Sequence, residues 1–62
     1  MRREEFLAAL RSALGKLPEQ DVRASLEFYS EAIDDRMEDG ASEEEAVAAL
    51  GDVNAIAAQI IA

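Results

Sequence analysis

Cysteine and histidine are both absent from this chain of 62 residues. Without cysteine there is no disulfide and no thiolate metal site, and nothing marks a redox compartment. Without histidine the chain lacks the commonest general base and the commonest metal ligand. Tryptophan is missing too, and two phenylalanines and one tyrosine are the only aromatics, so any core has to be aliphatic. No basic residue follows Arg36. The longest uncharged stretch, Val53 to Ala62, falls far short of the ~20 apolar residues of a membrane-spanning helix. At the N-terminus Glu4 and Glu5 directly follow Met1-Arg2-Arg3, where a signal peptide needs an apolar run. These residues are therefore expected to be soluble, with no targeting segment.

What is present points to one small helical domain spanning residues 1–62. A chain of this size buries only about 60% of its unfolded surface, which leaves no room for a cofactor-binding fold or a second lobe. Half the residues are hydrophobic, 32% are charged, and the net charge is −8. The charge is unevenly placed. Arg2, Arg3, Arg11 and Lys16 outnumber Glu4 and Glu5 in the first sixteen residues, whereas the remainder sets Arg23 and Arg36 against twelve acids.

Gly15, Pro18, Gly40 and Gly51 divide the chain, and the segments between them carry apolar residues at helical spacing with no sustained alternation. The pattern predicts an all-α bundle of four helices, two longer and two shorter, at about 3–14, 18–39, 43–50 and 53–62, with no strands. In the first, Phe6, Leu7, Leu10, Ala13 and Leu14 form one stripe; Gly15 is expected to end it in the left-handed conformation, with Leu17 as a hydrophobic latch. Pro18 suits the first helical position of the second. Val22, Leu26, Tyr29, Ile33 and Met37 make a seam along that helix, which at 1.5 Å per residue is about 33 Å long and is expected to be the main beam, packed on the first helix while the C-terminal pair closes the other side. Ser42 and Glu45 form a capping box, and Asp52 suits an N-cap. The last helix, with Val53, Ile56, Ala57, Ile60 and Ile61, meets no stop signal, so the natural chain is expected to continue past Ala62.

Several functions fail on chemistry. The two C-terminal helices joined at Gly51 superficially resemble a helix-turn-helix, but Val53 to Ala62 offers no Arg or Lys for phosphates or base edges, so no direct nucleic-acid binding is expected. Asp35, Asp39 and Gly40 match positions one, five and six of a calcium loop, but Met37 and Ala46 stand at the ligand positions three and twelve; a solvated acidic helix end is the simpler reading. Ser12, Ser25, Ser30 and Ser42 have no histidine to activate them, the carboxylates crowd solvent-facing positions, and so small a domain has no deep pocket. No catalytic residue, metal ligand or cofactor is expected, and the chain is read as not an enzyme.

Partner recognition is left. The apolar stripes are first of all core, above all Phe6, Leu10, Leu14, Leu26, Ile33 and Leu50. Phe28 and Tyr29, however, are adjacent on a helix and diverge by roughly 100°, so one of them faces outward. Phe28, Tyr29, Ile60 and Ile61 are the candidate partner-binding residues, for a protein partner or for self-association. The acidic face suits a basic partner; Arg2, Arg3, Arg11 and Lys16 alternatively suit an anionic lipid surface.

Two resemblances bear on the partner. Ser42 to Ile61 is similar to the last two helices of ubiquitin-associated domains, through Glu44-Glu45-Ala46-Val47-Ala48-Ala49-Leu50 and Gly51-Asp52-Val53-Asn54-Ala55, although Met37-Glu38-Asp39-Gly40 lacks that family's exposed loop aromatic. That likeness implies a free-standing adaptor. Nearly the whole chain resembles the HAAS-type signalling domain: Glu5-Phe6-Leu7 with Leu10 and Leu14; Leu17-Pro18-Glu19; Tyr29-Ser30-Glu31 with Ile33-Asp34-Asp35-Arg36; Glu38-Asp39-Gly40; Ser42-Glu43-Glu44-Glu45-Ala46; and Leu50-Gly51-Asp52 with Ile56-Ala57 and Ile60. Val53 departs from the proline that many members carry there. This second resemblance implies a non-enzymatic interaction module on the cytoplasmic side of a small bacterial membrane protein, with membrane spans downstream of residue 62 and a PadR-type transcriptional regulator as the associated partner.

Overall fold

The computed structural model describes all residues, 1–62, as four helices and no strand: α1 (Arg3–Ala13), α2 (Glu19–Glu38), α3 (Glu43–Leu50) and α4 (Val53–Ile61). The molecule measures 34 × 18 × 18 Å, and its long dimension is that of α2, whose 20 residues span about 30 Å at 1.5 Å each.

The packing centre is α1 rather than α2. α1 meets all three other helices, α2 meets α1 and α3, and α4 lies against α1 without reaching α2. The cause is the width of the apolar arc on α1. Phe6, Leu10 and the C-cap residue Leu14 are sealed from solvent, and Leu7 and Ala13 flank them half-buried. These three and Ile33 of α2 are the largest fully buried side chains, each contributing about 1.5–3 kcal/mol of hydrophobic stabilisation. Val22, Ala46, Val47, Ile56 and Ala57 complete the core; the small Ala46 and Ala57 let α3 and α4 each pack closely on α1. Leu26 and Leu50 pack at its margin, half-buried.

The helix ends follow local chemistry. Ser42 Oγ accepts from the Glu45 N–H at 3.1 Å while the Ser42 N–H donates to Glu45 Oε1 at 2.9 Å, the expected capping box. Asp52 Oδ2 accepts from the Ala55 N–H at 3.1 Å, so α4 starts cleanly with valine at its first position. Gly40, at φ 106°, closes α2: its N–H donates to the Met37 carbonyl at 3.0 Å and that of Ala41 to Arg36 at 3.1 Å, a Schellman turn. Gly51 has φ 99° and ψ −167°, a region essentially reserved for glycine.

Two expectations need correction. Gly15 has no positive φ; α1 ends at Ala13 with Leu14 as its cap at φ −96°, ψ 16°, because the chain tightens into a turn in which the Leu17 N–H donates to the Leu14 carbonyl at 3.0 Å. Leu17 still packs against the core. Pro18 is the N-cap of α2 rather than its first helical residue, extended at ψ 146°, and its carbonyl accepts from Asp21 and Val22 at 3.0 and 3.1 Å.

Candidate interaction surface

At one end of the bundle the start of α1 is tied to α2 and α3. The Arg3 guanidinium reaches across to α2, donating to Ser30 Oγ at 2.9 Å and pairing with Asp34. The Arg3 backbone N–H donates to Glu43 Oε2 at 3.0 Å, and Arg2 Nε donates to the same oxygen at 3.2 Å. Glu43 is therefore held below the usual carboxylate range, first by the Arg3 backbone N–H and then by the Arg2 side chain. Asp34 is lowered by its hydrogen bond from Arg3, and Glu45 by the Ser42 backbone N–H. At the other end Arg11 donates to both carboxylate oxygens of Glu19, at 3.0 and 3.2 Å.

These pairs reorganise the charge seen in the sequence. Arg2, Arg3 and Arg11 are each engaged by an acid of another helix or helix end, leaving Lys16, Arg23 and Arg36 as the side-chain cations without an ion pair. The outer surface is correspondingly acidic. No polar or charged residue is buried, so no titratable group sits in the desolvated setting that tunes a general acid or base.

The four candidate contact residues occupy two separate places. Phe28 projects outward, 63% exposed. Tyr29 is half-buried, its ring edge-on to Phe6 with centroids 6.3 Å apart and to Phe28 at 5.0 Å, so the core braces the outer ring through it. Ile60 is half-buried against the core, while Ile61 is 48% exposed. The two pairs stand on α2 and α4, helices that do not touch.

Sequence spacing gave no sign of a third feature, a shallow apolar cleft of about 410 Å³ between the start of α1 and the α3–α4 turn, with Met1, Phe6, Val47 and Val53 in its walls. It forms because the glycine-only geometry at Gly51 swings α4 away from α3 and onto α1. No helix is long and apolar enough to cross a membrane.

A family model, HAAS, matches residues 5–59. The chain belongs to the HAAS family. Membership supports a small domain of the signalling or regulatory kind. The match takes in Phe28, Tyr29 and all of α2 and α3, while Arg2, Arg3, Ile60 and Ile61 lie outside it. No curated protein and no solved structure matches this HAAS domain.

Proposed function

We propose that this HAAS domain is a non-enzymatic protein-interaction module on the cytoplasmic side of a bacterial membrane protein and that its partner is a PadR-type transcriptional regulator. The observation that carries the reading is the family match over residues 5–59. The structure is consistent with recognition rather than reaction: its interior is wholly apolar and its one large exposed aromatic stands on an acidic surface. A basic protein partner is favoured over anionic lipid, because three of the four N-terminal cations are already paired internally.

Calorimetric titration of the domain with a purified PadR-type regulator from the same organism tests the reading. Saturable binding at micromolar concentration that weakens with salt is expected, since surface charge is screened over about 8 Å at physiological ionic strength. Absence of heat at 50 mM salt with folded partners overturns the regulator assignment. Hydrophobic spans of membrane length in the reading frame past Ala62 test the membrane assignment. Specific amide shifts on adding ubiquitin would instead move the domain to the free-standing adaptor reading.

A further inference from the structure

We propose that the outward face of α2, centred on Phe28, is the docking surface of this domain and that its occupant is a basic amphipathic helix of another protein. The inference rests on the interaction-module reading and names the site and the chemistry of the partner. Ala24 and Ala32 lie four residues before and after Phe28 on the same stripe of α2. Their short side chains leave the phenyl ring standing clear as an apolar knob. Asp21, Glu31 and Asp35, seven before, three after and seven after it, fall on that stripe as well, and all three are exposed. The cations of α2 are elsewhere: Arg23 is about 140° around the helix at 100° per residue, and Arg36 borders the α2–α3 groove beside Ala41 and Glu45. One face of α2 thus presents a hydrophobic centre framed by carboxylates.

The ring is also prepared for contact. Tyr29 holds it edge-on at an interplanar angle of 85°, and Tyr29 is itself seated on the buried Phe6, so little side-chain freedom is lost when a partner covers it. Asp21, Ala24, Phe28, Glu31 and Asp35 are all exposed on this stripe, and only Ala32, at its inner edge, is half-buried. Charge selects the occupant. A second copy, at net −8, brings the same carboxylates against one another, and like charges across an interface oppose association. A helix with leucine-type residues on one side and Lys or Arg flanking them satisfies both the knob and its acidic frame.

The test is an amide-shift titration of the labelled domain with a synthetic 18-residue helical peptide of leucine and lysine at amphipathic spacing, repeated with the Phe28→Ala and Glu44→Gln variants. Shifts centred on Ala24, Phe28 and Ala32, weakened about tenfold or more by Phe28→Ala, as truncation of an aromatic anchor does, and hardly altered by Glu44→Gln, support the proposal. Shifts spread evenly over all the acidic residues, or equal weakening by the two variants, overturn it, as does a sedimentation-detected dimer that Phe28→Ala dissolves. The same variants against the PadR-type regulator separate the two levels. Regulator binding indifferent to Phe28→Ala leaves the module reading intact and removes this site. Peptide binding at Phe28 with no regulator binding keeps the site and removes the regulator.

Discussion

The eleven residues of α1 and the twenty of α2 stand in an inverse relation of length to burial. α1 contributes Phe6 and Leu10, with Leu14 at its cap, and touches every other helix; α2, nearly twice as long, buries only Val22 and Ile33 completely. A helix with three neighbours needs a wide apolar arc, whereas one packed on a single side needs only a seam and leaves the rest of its surface free. α1 is the scaffold and α2 the display surface. Length therefore misleads about structural importance in a domain this small, where helix stability comes from packing more than from propensity.

The largest expected effect lies on α1. Leu10 is fully buried, and Leu10→Ala is expected to cost about 2–5 kcal/mol. A domain of this length has a total stability of only about 3–9 kcal/mol at the usual per-residue values, so the variant is expected to be largely unfolded at low urea by helical circular dichroism. Leu26→Ala, on the half-buried margin of α2, is expected to cost less than half as much. Equal costs at the two sites would break the contrast between the helices.

Next in size is the attachment of α4, which depends on α1 alone. Gly51 holds a backbone conformation open only to glycine, and a Cβ there meets no atom within 4 Å. The cost of Gly51→Ala is therefore conformational, about 1–3 kcal/mol. Hydrogen exchange sharpens the comparison: α4 amides are expected to lose protection first, with those of α2 little changed. Uniform loss over both helices would mean that α2 also holds α4 in place.

Smaller again is the polar tie from α1 to its neighbours. Asp34 and Glu43 have folded-state pKa values below their ordinary ones because Arg2 and Arg3 donate to their charged forms. A carboxylate lowered in the folded state binds more protons when unfolded, so its contribution is complete above the unfolded pKa, near 4, and is lost as pH falls through the folded value. Wild type is expected to be slightly more stable than Glu43→Gln at pH 7, and the difference is expected to close on acidification below about pH 4. A gap in melting temperature that stays constant from pH 7 to pH 3 would show that Glu43 acts by shape rather than charge.

Most of the fold was legible because punctuation and period agreed. Gly40, Ser42, Gly51 and Asp52 each do locally what their residue types favour, and the stripes of three- and four-residue steps locate α1 to α4 within a residue or two. Gly15 and Pro18 misled because the link between α1 and α2 is a tight turn governed by where Leu14 and Leu17 must be buried, a tertiary demand that local propensity does not carry. The hub position of α1 was hidden for the same reason. The ties from Arg2 and Arg3 to Ser30, Asp34 and Glu43 join residues 27 to 41 positions apart, beyond any spacing rule. At the candidate surface, adjacency predicted that Phe28 and Tyr29 diverge, and only the placement of Phe6 decided which of them is held inward.

The smallest expected effect on stability is also the most discriminating. Phe28→Ala removes an edge-on contact with Tyr29, a kind of pair worth about 0.5–1.5 kcal/mol when buried, but here the ring is 63% exposed and much of that value is already lost to water. Alanine in turn is the best helix former, by a few tenths of a kcal/mol over phenylalanine. The two terms nearly cancel, and urea unfolding is expected to move by no more than about 0.5 kcal/mol, the range of ordinary surface changes. A loss above about 1.5 kcal/mol would place Phe28 within the structural core and make α2 a second scaffold. A silent change in stability coupled to a loss of binding separates the two helices by role, because truncations on the sealed face of α1 are expected to act on stability first.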